Sequence, residues 1–184
     1  MSSLTIDSNL NMKRIMIIGS GGAGKSTLAR QLGERLHLDV YHLDALMWRP
    51  GWVMAPREER IDIQQQLVKK DQWIIDGNFG NTLDLRLQAA DTVILIDLPR
   101  IVCVYRVLKR VVRYRGTTRP DMGASCEEKL DFAFLKWVWN FPDIQMPEMV
   151  KRIEQYSHEK QIIVLKSQKD VQKFINQMNR QEFL

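Results

Sequence analysis

The chain has 184 residues, 45% of them hydrophobic and 27% charged, with a formal net charge of +5. That is the composition of a globular domain with a core, and no apolar run approaches the ~20 residues that a bilayer span needs. Cys103 and Cys126 give neither a disulfide framework nor a metal-ligand pair, which fits a cytoplasmic protein, and the opening MSSLTIDSNLNMKR lacks the regions of a signal peptide.

Residues 1–12 carry no pattern and are expected to form a loose extension, with residues 13–184 as one domain. Arg14–Ile18 is a short apolar run ending at glycine, which suits a buried strand. Leu28, Leu32 and Leu36 then recur on one helical face. DVYHLD (Asp39–Asp44) reads as a second strand, and PREERIDIQQQLVKK as a helix opened by Pro56. Trp73–Gly77 is a third strand and Thr92–Asp97 a fourth. A basic helix is expected from about Ile101 to Arg113, then an aromatic one from about Cys126 to Asn140 that stops at Pro142. Pro147 starts a further helix, Ile162–Leu165 is a fifth strand, and Val171–Met178 is the last helix. Strands alternating with helices predict an α/β fold: a five-stranded parallel sheet covered on both faces, with ligands at the carboxyl ends of the strands.

Between the first strand and the first helix lies GSGGAGKST, Gly19–Thr27. Gly19, Gly24, Lys25 and Ser26 fit G-x-x-x-x-G-K-[ST], and Gly21 and Gly22 add freedom. Glycines let the backbone turn its N–H groups inward onto phosphate oxygens, and the following helix adds its N-terminal amides. With Ser20, Ala23 and Thr27 these residues form a nucleotide-binding loop, in which Lys25 reaches the β- and γ-phosphates and Ser26 offers a hydroxyl to Mg²⁺. The guanine-reading N-K-x-D is missing from the sequence, so ATP is the expected nucleotide.

Acids close the strands. Asp44 would face the γ-phosphate and take the proton of an acceptor hydroxyl, or hold a water on Mg²⁺. Asp76, in WIIDGNF, stands where such enzymes place a metal ligand; Gly77 and Asn78 would contact substrate. Six cations lie between Arg106 and Arg119 with no acid among them. Arg106, Arg110 and Arg113 share a helical face, with Ile101, Leu108 and Val112 mainly on the opposite side. Arginine forks bind phosphate in bidentate fashion, which predicts a lid over about residues 106–126 with Arg119 returning to the site. Trp52, Arg57 and Arg86 are candidates for the second substrate, with Trp48 beside them. The pattern points to an ATP-dependent phosphotransferase acting on a small molecule or nucleotide. The alternative is an ATP-dependent, DNA-associated regulator whose basic helix tracks a phosphate backbone, or a nucleic-acid-end kinase.

These motifs resemble the adenylate-kinase-like branch of P-loop kinases, which includes shikimate and gluconate kinases. HLDALMWRPGW, WIIDGNFGNTLDLRL, RVLKRVVRYRGTTRPDM and FLKWVWNFP more closely resemble the bacterial DNA topology modulation protein family, from about Lys13 to the end. The resemblance implies a three-layer P-loop fold with an arginine-rich lid, in which Arg106 and Arg110 match helix arginines facing the ATP phosphates and Arg119 matches the returning lid arginine. Asp76-Gly77 matches the "DG" of adenylate kinases. Asn78-Phe79-Gly80 departs from their Phe-Pro-Arg, against a nucleoside-monophosphate acceptor. The family's name implies an effect on DNA topology.

Overall fold

The computed structural model describes residues 12–180, with side chains to residue 178. Five parallel strands form the central sheet: β1 (Arg14–Gly19), β2 (Val40–His42), β5 (Trp73–Asp76), β6 (Thr92–Ile96) and β7 (Gln161–Leu165), in the order β2-β5-β1-β6-β7. A two-residue-per-strand hairpin, β3 (Trp48–Arg49) and β4 (Val53–Met54), stands apart from it. Side chains of β1 alternate between two cores, as a pleated strand requires. Ile15 and Ile17 join one with α1 (Lys25–Leu36), α5 (Arg100–Arg113) and α7 (Gln168–Arg180). Met16 and Ile18 join the other with α2 (Leu43–Met47), α3 (Arg57–Val68) and α4 (Leu83–Ala89). The α/β architecture and parallel sheet are those the sequence predicts.

Three elements differ from the expected ones. Asp44 does not close a strand: β2 ends at His42 and Asp44 opens α2. The aromatic helix begins at Phe132 rather than Cys126, because Asp131 caps it by accepting from the Phe134 amide at 3.0 Å. Residues before it are extended instead, bridging Thr118 to Glu127 and Arg115 to Glu128. The helix also does not stop at Pro142 or restart at Pro147; α6 (Phe132–Glu154) runs through both. An interior proline costs about 3 kcal/mol in an isolated helix. Here Phe141, Met146, Met149 and Ile153 are buried along that stretch, and their packing outweighs it. The loose extension expected over residues 1–12 lies outside the described residues except for Met12, which is buried in the core.

α6 also links the two cores. Val138 belongs to the first and Phe141 to the second, so the helix passes over the carboxyl end of the sheet. A Cβ on Gly21 would come 2.7 Å from Phe134 and 2.9 Å from Val138, which places α6 directly on the glycine loop.

Candidate active site

The loop after β1 owes its shape to its glycines. Gly22 has φ +76° and Gly24 φ +101°, conformations that a side chain strains, and a Cβ on Gly22 would strike the Cys103 carbonyl at 2.4 Å. Gly24 caps α1, whose first turn holds no acid and no side-chain cap. The α1 N-terminus is thereby left to an anion. Lys25 folds back so that its Nζ donates to the carbonyls of Gly19 and Ser20, both at 2.9 Å. Asn78 fastens this loop to β5: its Oδ1 accepts from the Gly19 amide at 3.1 Å and its Nδ2 donates to the Gly19 carbonyl at 2.9 Å.

A cleft of about 780 Å³ opens over this loop, within the size range of small-molecule sites. Gly21, Gly22, Ala23, Gly24, Lys25, Ser26 and Thr27 line it, while Gly19 and Ser20 do not and instead hold Lys25 through their carbonyls. Asp44, Trp48, Trp52, Gly77, Asn78, Arg106, Arg110 and Arg119 line it as well. Asp76 lies buried below, where its Oδ2 accepts from Ser26 Oγ at 2.8 Å and its Oδ1 pairs with His42 Nδ1. Two oxygen donors, Ser26 Oγ and the Asp76 carboxylate, thus meet beside the phosphate loop, a donor set that suits a hard cation such as Mg²⁺. Among the described residues no group of three or more His, Cys, Asp or Glu forms a metal cage, so a cation there would lean on phosphate oxygens and water.

Two of the expected substrate contacts lie elsewhere. Arg86 is 0% exposed and lies under the β5 loop, donating to the carbonyls of Gly77 at 2.7 Å, of Asn78, and of Phe79 at 3.2 Å. It shapes that loop and does not line the cleft. Arg57 lines a separate hollow of about 130 Å³ with Arg60 and Phe79.

The lid differs from a solvated basic helix. α5 turns Arg106 and Arg110 inward and leaves Ile101, Tyr105, Leu108 and Val112 outside, at 69%, 63%, 41% and 80% exposure. Arg106 donates to the Ala23 carbonyl at 3.3 Å and to Gln168 of α7. Arg110 and Arg119 converge on Glu128, whose side chain is 3% exposed: Arg110 Nη2 lies 2.9 Å from Oε1 and Arg119 Nε 2.6 Å from Oε2. Arg119 also pairs with Asp121 at 3.1 Å. The lid is tied to the β3–β4 hairpin. The Gly51 amide donates to Ser125 O at 3.1 Å, Trp52 Nε1 to Glu127 O at 2.9 Å, and Cys126 Sγ to Arg49 O at 3.1 Å.

Charges in the cleft perturb one another. Burial lowers the Lys25 ammonium's pKa, against the pull of Asp44 and Asp76. Burial raises the Asp44 carboxyl, with Lys25 opposing and Asp76 adding to it. Burial also lowers Arg110, helped by Arg119 and opposed by Glu128. For Asp121, burial acts upward but Arg119 and the Ser26 hydroxyl prevail, and its pKa falls. For His42, burial acts downward but the bond to Asp76 prevails, and its pKa rises. Asp121, Glu128 and His42 were not singled out from the sequence. Asp121 alone left a trace there, two residues after Arg119.

The fold has solved counterparts. Shikimate kinase from Acinetobacter baumannii superposes with a TM-score of 0.58 at 14% identity, covering 92% of both chains. The fold is that of the P-loop kinases. A gluconokinase from Sinorhizobium meliloti gives 0.51 at 13% identity, over 92% of this chain and 90% of its own. A sugar kinase from Janibacter gives 0.50 at 16%, over 91% and 95%. No protein-family model matches the sequence, and no curated protein matches it.

Proposed function

We propose that this P-loop chain is an ATP-dependent phosphotransferase that moves the γ-phosphoryl group to a hydroxyl of a small acceptor. The observation that carries it is that Lys25, Arg106, Arg110 and Arg119 line one cleft together with Asp44. In this reading the acceptor oxygen bonds to the γ-phosphorus while the bond to the β–γ bridging oxygen breaks, and ADP leaves with that electron pair. Asp44 takes the hydroxyl proton, and burial, which raises its pKa, makes it the stronger base. Negative charge spreads over the phosphoryl oxygens, so positioning and cationic groups do most of the work. Lys25 leaves the Gly19 and Ser20 carbonyls for the phosphates, and Arg110 and Arg119 exchange Glu128 for them. Mg²⁺, which Ser26 and Asp76 would hold, neutralises phosphate charge. The lid excludes water, the competing acceptor.

The DNA reading has less support. Arg106 and Arg110 face the cleft, leaving Lys109, Arg113 and Arg115 as exposed cations of that stretch, beside the apolar residues of α5. The likeness of motifs to the DNA topology modulation family is compatible with the same phosphotransferase fold. The deciding experiment measures ADP release from Mg²⁺ and ATP against nucleosides, nucleotides, sugar acids and short DNA, with Lys25→Ala alongside. Stimulation by one small acceptor that the variant loses supports the proposal; stimulation by DNA alone overturns it.

A further inference from the structure

The half of the cleft away from the phosphate loop restricts the acceptor, on the reading that the chain is a phosphotransferase. We infer that the acceptor is a hydroxyl-bearing molecule without negative charge, neutral or cationic, which lays a flat or apolar face against Trp48 and Trp52. Two observations carry this: the state of every cation near that half, and the character of its wall.

Arg119 is the one guanidinium lining the cleft from outside α5 among the described residues, and in the free protein it is already engaged. Its Nε faces Glu128 at 2.6 Å, its Nη1 faces Asp121 at 3.1 Å, and its Nη2 lies 3.4 Å from the Met122 sulfur. Arg86 is spent on three backbone carbonyls below the floor. Arg49 pairs with Glu59, and Arg57 belongs to the separate hollow. Lys25, Arg106, Arg110 and Lys129 complete the cations of the cleft and come from the phosphate loop, α5 and the lid. A bound polyphosphate absorbs the charge of the first three, and of Arg119 once it exchanges Glu128 for phosphate; Lys129 is solvent-exposed and carries an ammonium, not a fork. What then faces the acceptor is Asp44 and Asp121, with Asp76 beneath. A carboxylate or phosphate brought there meets like charge with no free fork to receive it.

The wall is aromatic. Trp48 and Trp52 meet edge to face, with ring centroids 5.6 Å apart, and Met54 lines the cleft next to them. Trp52 Nε1 is turned to the Glu127 carbonyl, so the polar edge of that indole is satisfied by the lid. Indole faces hold planar or apolar surface, and hold cations more tightly still.

Ion quenching of tryptophan fluorescence tests this. The emission that Trp52→Phe removes is compared under caesium, iodide and uncharged acrylamide, each normalised to free N-acetyltryptophanamide. It is measured with and without the Mg²⁺ complex of a non-hydrolysable ATP analogue; Trp48→Phe supplies the same difference signal should Trp52→Phe unfold. Caesium should quench several-fold more effectively than iodide, and Asp121→Asn should narrow the gap. Iodide quenching as strong as caesium or stronger overturns the inference. So does phosphorylation of AMP at a higher kcat/KM than adenosine, a pair that differs only in the phosphate. Calorimetry of the ATP analogue keeps the two readings apart. Failure to bind it sinks the phosphotransferase reading, while the quenching ratio of the free protein still decides the charge of the wall.

Discussion

Arg86→Ala tests whether a buried cation holds the active-site loop. Arg86 is fully buried, burial depresses its pKa to about 9 against the pull of Asp76, and its amino groups serve the carbonyls of Gly77, Asn78 and Phe79. A hydrogen bond from a charged donor contributes about 1.5–3 kcal/mol, so three give a gross loss of about 4–9 kcal/mol. Removing a buried ion relieves several kcal/mol of desolvation, which leaves a net destabilisation of about 3 kcal/mol. At about 2–4 °C per kcal/mol for a chain of this size, Tm should fall by roughly 6–12 °C. Thermal unfolding followed by circular dichroism, with guanidinium titration beside it, reads this directly. Arg86→Lys keeps the charge but lacks the planar fork, and should recover less than half of the loss. Nucleotide-analogue affinity should weaken too, because Asn78, whose carbonyl Arg86 holds, clamps Gly19. A loss below about 1 kcal/mol for Arg86→Ala would refute the reasoning, since ordinary surface substitutions reach nearly that.

Lys25→Ala should lower ADP release by about 10²-fold or more with the fold intact, as expected for removing a donor from a developing anion. Asp44→Asn should abolish turnover yet stabilise the free protein at pH 7. Burial raises the folded pKa of Asp44, so its contribution is favourable below its ordinary range of about pH 4 and is lost as pH rises through the raised value. Melting curves should therefore converge in acid and separate at neutral pH, and a lower Tm for the variant at pH 7 would contradict this. Glu128→Gln leaves Arg110 and Arg119 facing each other without their carboxylate and should cost about 3–5 kcal/mol. An ATP analogue should restore more stability to that variant than to the parent, because phosphate replaces the lost anion. Arg110→Ala should cut kcat far more than nucleotide affinity; equal losses would indicate ground-state binding instead.

β1, β5 and β6 were readable because each is a short apolar run buried on both sides, and the loop because only glycines can turn backbone amides onto a phosphate. α6 was misread because an interior proline is ordinarily a stop, and only packing around Phe141 and Met149 keeps the helix going. Periodicity put the arginines and the apolar residues of α5 on separate faces without saying which turns inward. The usual rule would bury Ile101, Leu108 and Val112, and the structure exposes them. A lone arginine such as Arg86 reads alike whether it serves an anion or three carbonyls. Glu128 left no signal, since its partner Arg110 lies 18 residues away.

The fastening of the β3–β4 hairpin to the lid has a thermodynamic corollary. Trp48, Trp52 and Arg119 all line the cleft, and the contacts of Gly51, Trp52 and Cys126 tie the hairpin to the segment that carries Arg119. In the proposed reaction, whatever draws the lid toward a nucleotide also draws the tryptophans into place. Each substrate then changes the affinity of the other, and by the same factor in both directions. Whichever ligand arrives first bears most of the ordering entropy, and the second finds the pocket already built.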